Sequence, residues 1–243
     1  MSAPMAAGPV LVALLLLAQV SAIHGFTGLG VLPRGVNAGK NHVCTWNDYT
    51  LQCFGLNFYG QLGMGTGTVA EGELGYYGHQ ENHISSHPGV QGAKWSSVCS
   101  GDWHTCGISL AGEVYCWGRG TNGATGQGHT DLNSMPGPVD LNLGIVRQIS
   151  CGAHHTCAVV EGDNGVSVKC WGGWDWAPGA TGHTCDLSRS KNDYKFKGDQ
   201  EGEMGASLGS VDFGQLDDGE SILNVHAGAT SSCAGVVEAG GKG

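Results

Sequence analysis

Charged residues are scarce in this chain, and basic residues are the scarcest of them. Among 243 residues, Lys and Arg together number 11 and Asp and Glu number 21, so the net charge is −10. A chain whose few basic residues are scattered has no positive patch for a phosphate backbone. The composition therefore argues against a nucleic-acid partner.

Two common enzyme motifs are missing as well. The sequence has no phosphate-binding loop and no His-Glu-x-x-His zinc motif. It also has no Asn-x-Ser/Thr acceptor for N-glycosylation. We therefore expect a protein that is not an enzyme and has no catalytic residues.

Long apolar runs are absent beyond the N-terminus. Val10–Gln19 is apolar and of signal-peptide length, and Val20-Ser21-Ala22 supplies small residues for cleavage, although no basic residue precedes the run. The run is too short to cross a bilayer comfortably. We therefore predict a signal peptide at residues 1–22, no membrane span, and a protein that is secreted or is an extracellular ectodomain. In such an oxidising compartment the 10 cysteines can form disulfides.

Glycine and cysteine are abundant, and they recur in an internal repeat with tryptophan. A Gly-x-x-His-x-Cys segment is followed by a second cysteine, an aromatic residue and glycine. The three complete copies start at Gly39, Gly101 and Gly152, and a partial copy with Ser231-Ser232 in place of His-Thr starts at Gly228. A second glycine cluster follows each complete copy, as in Gly60-Gln61-Leu62-Gly63 and its counterparts Gly123-Ala124-Thr125-Gly126 and Gly179-Ala180-Thr181-Gly182.

The repeat divides the chain after an N-terminal segment at residues 23–35. Repeats are predicted within residues 36–243, at about 36–65, 93–128, 139–182 and 211–243, with loop insertions at about 66–92 and 173–210. One supersecondary unit per repeat, with insertions of varying length, is typical of repeat architectures.

Each complete copy predicts a β-hairpin joined by a disulfide between its two strands. The predicted pairs are Cys44–Cys53, Cys106–Cys116 and Cys157–Cys170, around loops of two, three and four residues. Because each pair stays directly opposite while the loop length changes, the Cα atoms should lie about 4.5–5.5 Å apart, which a disulfide can span.

Four cysteines, Cys99, Cys151, Cys185 and Cys233, remain without an assigned partner. We call the first glycine of each copy its marker glycine. Cys99 lies two residues before the marker glycine Gly101, and Cys151 lies one residue before the marker glycine Gly152. Since a one-residue offset changes the face of a strand, we do not assign these two to each other. Cys233 occupies the first-cysteine position of the fourth copy, and its expected partner lies at or beyond residue 243.

A Val or Ile comes first in the repeat, followed by Gly-x-x-His-Thr-Cys, by Cys-Trp-Gly and by a glycine cluster such as Gly60–Gly65. This pattern resembles the regulator of chromosome condensation (RCC1) repeat. The resemblance covers about Val36 to Val237, and with its paired cysteines and signal peptide the chain is most similar to secreted, Crinkly-like extracellular members. It implies an all-β fold of β-propeller blades, here an incomplete propeller of three blades plus part of a fourth. Because an open arc exposes sheet edges, we expect either a truncated sequence or a second chain that covers them.

The remaining candidate site residues are histidines and tryptophans. Because paired-cysteine zinc spacing is absent, we expect His42, His104 and His155 to hydrogen-bond turns at strand starts, with no metal and no cofactor. Trp174 and Trp176 lie in an insertion, outside the repeat pattern, and are the candidate binding residues, since aromatic side chains concentrate in binding loops.

The leading interpretation is a non-catalytic binding module whose partner is a protein or peptide. One alternative, implied by the resemblance alone, is guanine-nucleotide exchange on a small GTPase. Others are a secreted enzyme inhibitor and a truncated receptor-kinase ectodomain. The repeats fix none of these, because fold alone does not determine function.

Overall fold

The described part of the chain is built from β-strands and one short 3₁₀ turn, Gly205–Ser207, which confirms the predicted all-β class. The computed structural model describes residues 33–48, 50–63, 76–77, 94–130, 137–142, 144–163, 165–173, 180–182, 196–214, 216–217 and 219–238. The predicted signal peptide and most of the N-terminal segment lie outside these residues. Among the described residues, no helix has the length and hydropathy needed to cross a membrane.

The strands form four antiparallel sheets, one for each repeat. Sheet A contains β1 (Gly35–Ala38), β2 (His42–Trp46), β3 (Leu51–Leu56) and β4 (Tyr76–Tyr77). Sheet B contains β5 (Trp95–Ser100), β6 (His104–Ser109) and β7 (Val114–Gly118). Sheet C contains β8 (Ile145–Cys151), β9 (His155–Gly162) and β10 (Gly165–Gly172), and sheet D contains β11 (Glu220–Ala227) and β12 (Ser232–Glu238).

Successive sheets stack face to face in chain order, and the core lies between them. One buried cluster joins sheets A and B around Trp95 and Trp117, a second joins B and C around Ile108 and Ile149, and a third joins C and D. Strands β6 and β7 are buried along their whole length because both faces of sheet B are covered. This stacking of blades places each Gly-x-x-His turn beside the same turn of the next repeat.

Each predicted hairpin has the register that its loop length requires. Cys44 lies opposite Cys53, Cys106 opposite Cys116 and Cys157 opposite Cys170, with Cα atoms 4.1 Å apart and the sulfurs bonded in each pair. Gly112 and Gly165 adopt φ angles of 84° and 98°, so they provide the left-handed backbone of their turns. The local pattern of loop and cysteine spacing thus sets the geometry of each blade.

The structure also joins Cys99 to Cys151, between sheets B and C. We did not assign this pair from sequence because the one-residue offset places the two cysteines on opposite strand faces. That reasoning holds for residues of one sheet. In stacked sheets, the face of one blade meets the opposite face of the next, so the offset is what allows Cys99 and Cys151 to meet. Cys233 is exposed and has no disulfide partner among the described residues.

Candidate binding surface

The repeated histidines connect each blade to the next. Nε2 of His42 lies 2.8 Å from Oγ1 of Thr105, and Nε2 of His104 lies 3.0 Å from Oγ1 of Thr156. Nε2 of His155 lies 2.8 Å from Oγ of Ser232, so the Ser that replaces Thr in the fourth repeat keeps the contact. We name these three contacts the His–hydroxyl links. They correct our expectation that each histidine bonds a turn at the start of its own strand.

The hydroxyl of each link has a second, fixed partner. Thr105 donates to the Gln61 carbonyl at 2.9 Å, and Thr156 donates to the Ala124 carbonyl at 3.0 Å. Because a hydroxyl carries a single proton, Thr105 must accept the hydrogen bond from the imidazole. The linking histidines therefore carry a proton on Nε2.

Burial keeps these imidazoles neutral. Desolvation lowers the pKa of His42 to about 4, of His104 to about 3 and of His155 to about 4, and neighbouring histidines lower the last two further. Nδ1 of His42 has no hydrogen-bond partner in the described part of the chain, so a second proton there would be buried without an acceptor. The repeated histidines are thus structural residues of the blade junctions.

A partly exposed aromatic surface lies beside the first two junctions. We define it by Phe58, Tyr59, Trp103, Lys40 and Arg119. The Tyr59 ring packs edge-to-face on Phe58 at 4.9 Å and on Trp103 at 5.3 Å between ring centroids. Phe58 is 57% exposed, although it is a large apolar side chain.

Two cations lie over these rings. Nζ of Lys40 is 5.4 Å from the centroid of the Trp103 ring, and the Arg119 guanidinium is 5.2 Å from the centroid of the Tyr59 ring. Lys40 also pairs with Asp102 at 3.3 Å, and Nε2 of His154 lies 4.0 Å from the same carboxylate. Burial lowers the pKa of His154, and the negative charge of the Asp102 carboxylate acts in the opposite direction and raises it. The surface therefore combines partly exposed rings with basic groups on an otherwise acidic chain.

Backbone hydrogen bonds hold the aromatic surface in place. The Trp103 carbonyl accepts from the Arg119 amide at 2.9 Å, which fixes the marker turn to the residue after Cys-Trp-Gly. The Asn57 side chain accepts from the Leu62 amide at 2.9 Å, and the Gln61 side chain accepts from the Tyr59 amide at 2.8 Å. Phe58 and Tyr59 therefore project from a turn that is held by hydrogen bonds, which lowers the cost of ordering this loop when a partner binds.

Sequence reasoning missed this surface. Trp103 stood inside the marker motif and was counted as part of the repeat, although the corresponding residues of the other copies are Asn41, His154 and Thr230. Its variation within the repeat was the available signal for a functional residue. The predicted binding residues Trp174 and Trp176 lie outside the described residues, so they stay a prediction.

The tryptophans that follow the second cysteines have a structural role. The Trp117 indole donates to the Gln61 carbonyl and the Trp171 indole donates to the Ala124 carbonyl, both at 3.0 Å. These are the carbonyls that also accept from the linking Thr hydroxyls. Trp117 and Trp171 are buried, and they fasten each blade to the glycine cluster of the preceding repeat.

Stacked antiparallel sheets joined by a repeated inter-blade contact define a propeller-type repeat protein. Family models described as the "Regulator of chromosome condensation (RCC1) repeat" match residues 111–159 and 95–124. The chain therefore contains repeats of the RCC1 family, as the glycine pattern predicted.

Curated relatives match about half of this chain. The chain is 31% identical over 123 residues to "Ultraviolet-B receptor UVR8" of Arabidopsis thaliana, covering 49% of this chain and 27% of the relative. It is 29% identical over 133 residues to "RCC1-like G exchanging factor-like protein" of Homo sapiens, covering 54% of this chain and 27% of the relative. The chain thus spans about a quarter of the length of these relatives.

Solved structures of the same fold match more of the chain. Human WBSCR16 superposes with a TM-score of 0.56 at 20% identity, covering 82% of this chain and 43% of that one. Prp20p from Saccharomyces cerevisiae superposes with a TM-score of 0.56 at 19% identity, covering 85% and 44%. At this identity the likeness concerns the fold alone, and it shows that the described blades form part of a propeller.

Proposed function

We propose that the chain is a secreted or ectodomain module that recognises a protein or peptide through its aromatic surface and has no catalytic role. The observation that carries the proposal is the cluster of the exposed Phe58 with the half-buried Tyr59 and Trp103, and with Arg119 beside it. Trp, Tyr and Arg are the residues most enriched among binding hot spots. The RCC1-type fold agrees with this proposal, because Prp20p, which shares the fold, binds Gsp1p and histones.

The first prediction is that the double substitution F58A/W103A weakens partner binding about tenfold or more, as expected for loss of hot-spot aromatics. Wild-type and variant proteins are immobilised and exposed to extracellular material, and bound proteins are quantified by mass spectrometry. Dissociation constants are then measured for each protein retained by the wild type.

Leu223→Ala serves as the matched control, because Leu223 is 62% exposed on sheet D, in a different repeat. Equal thermal midpoints for wild type, the control and F58A/W103A establish that the fold is intact. If every partner binds F58A/W103A as tightly as wild type, recognition does not occur at the aromatic surface.

The second prediction concerns the compartment and the disulfides. Protein recovered from the medium of expressing eukaryotic cells should begin at Ile23 and contain the pairs Cys44–Cys53, Cys106–Cys116, Cys157–Cys170 and Cys99–Cys151. Peptide mapping without reductant measures both properties. Retention inside the cell, or a different pairing of these eight cysteines, would contradict the proposal.

Nucleotide exchange on a small GTPase is the second candidate function. The similarity to the human "RCC1-like G exchanging factor-like protein" is the observation that favours it. Release of labelled GDP from a panel of small GTPases discriminates the two functions, because a binding module leaves the release rate unchanged. Accelerated release, together with a chain that stays inside the cell, would favour exchange.

A further inference from the structure

Three cysteine sulfurs converge at the junction between sheets B and C, and a fourth is bonded to one of them. The Sγ atoms of Cys99, Cys106 and Cys151 all lie within 4.8 Å of one another, and Cys116 is bonded to Cys106. Cys99 and Cys106 are directly opposite on β5 and β6, and Cys106 and Cys116 are opposite on β6 and β7. Three adjacent strands therefore present cysteines on one face of sheet B, toward Cys151 of sheet C.

This convergence is confined to one junction in the described part of the chain. The hairpin pairs Cys44–Cys53 and Cys157–Cys170 have the same cross-strand geometry, yet no other described group of cysteines meets in the same way. The positions in the other blades that correspond to Cys99 are Asn37 and Ser150, by their pairing with the first cysteine of each hairpin. The extra pair, Cys99 and Cys151, is thus what changes a hairpin disulfide into a four-sulfur cluster.

Three sulfurs of the cluster lie near the spacing of a metal site. Zn–S bonds of about 2.3 Å place the four sulfurs of a tetrahedral site about 3.8 Å apart. The sulfurs of Cys99, Cys106 and Cys151 lie within 4.8 Å of one another, and reduction separates Cys116 from Cys106 so that it can supply the fourth ligand. Cys99, Cys106 and Cys116 are buried, which matches the closed, fully protein-ligated arrangement of structural zinc sites.

We propose that in the reduced protein the thiolates of Cys99, Cys106, Cys116 and Cys151 bind one thiophilic divalent metal ion of the Zn²⁺ class. Each of the two disulfides takes up two electrons and two protons from a dithiol reductant, which is oxidised to its own disulfide, and yields two thiols. The ion then replaces the four thiol protons, which are released to solvent. Soft thiolate ligands select this class of ion over Mg²⁺ or Ca²⁺.

The metal site and the two disulfides are alternative cross-links of one junction. Oxidised, Cys99–Cys151 ties sheet B to sheet C; reduced and metal-bound, the same two residues tie the sheets through the ion. The junction between the second and third repeats therefore remains cross-linked in either redox environment. This proposal is independent of the partner and of the compartment proposed above.

The test is Co²⁺ binding to the full chain after anaerobic reduction and removal of the reductant. We expect one Co²⁺ per chain with thiolate charge-transfer and tetrahedral d–d absorption, displaced by Zn²⁺, and no such spectrum for the oxidised chain. The double variant Cys99→Ser/Cys151→Ser should bind Co²⁺ at least about a hundredfold more weakly, because two ligands are lost. The matched control Cys44→Ser/Cys53→Ser should keep the wild-type spectrum and affinity.

Three outcomes would overturn the proposal. One is a reduced, folded chain that shows no tetrahedral cobalt spectrum. Another is Cys99→Ser/Cys151→Ser binding Co²⁺ as tightly as wild type, which would assign the metal to other cysteines. The third arises if reduction removes the β-sheet signal from the far-ultraviolet circular dichroism spectrum. In that case Zn²⁺ must restore the signal in the control variant Cys44→Ser/Cys53→Ser, and failure to restore it overturns the proposal.

Discussion

Replacing Gly101 with alanine should lower the free energy of unfolding by about 3 kcal/mol or more, a large fraction of the stability of a typical domain. A Cβ at Gly101 would lie 2.5 Å from the Gly152 carbonyl oxygen and against the imidazole of His104. Neither neighbour can move easily, because the oxygen belongs to the backbone of the next repeat and the imidazole is fixed by its link to Thr156. The strain must therefore separate two blades or break a His–hydroxyl link.

Urea unfolding of the oxidised protein measures this effect through the transition midpoint. Gly162→Ala is the matched control, because a Cβ at Gly162 meets no atom within 4 Å and Gly162, like Gly101, has no positive φ. We expect the control to change the midpoint little. Equal midpoints for the two variants would show that the marker glycine is not required for contact between blades.

Local features of the fold could be predicted from the sequence because their causes are local. The distances along the chain between Cys44 and Cys53, and between Cys157 and Cys170, fix the hairpin register whatever the rest of the chain does. The glycine pattern identified the repeat for the same reason. Contacts between repeats could not be predicted in this way, since the hydrogen-bond partner of His42 is Thr105, which lies 63 residues away along the chain.

The disulfide between Cys99 and Cys151 could not be predicted from their offset along the chain. The offset was judged within a single sheet, whereas stacking of the blades brings together the opposite faces of neighbouring sheets. Trp103 differs from the corresponding residues of the other copies, and this variation can be detected in the sequence. Its contact with the Tyr59 ring cannot, because it depends on how two repeats pack together.

The second large effect is a loss of stability at mildly acidic pH. The pKa values of His42, His104 and His155 are lowered by burial to about 4, 3 and 4, from the ordinary value of 6.5. Below pH 6.5 the unfolded chain therefore binds protons that the folded chain does not, so stability falls as pH falls. Relative to pH 8, the three histidines together should cost about 6 kcal/mol at pH 5, and the loss should continue until the folded-state pKa values are reached.

Substitution of one histidine isolates its share of this pH dependence from that of the carboxylates. His104→Gln removes the titration, so its stability curve between pH 8 and pH 5 should be flatter than wild type by about 2 kcal/mol. Thr156→Val removes the hydroxyl of the same link but leaves the imidazole buried. Because desolvation is the main cause of the lowered pKa of His104, this control should be less stable at every pH and retain the wild-type slope. Parallel curves for His104→Gln and wild type would mean that His104 takes up its proton in the folded state as readily as in the unfolded chain.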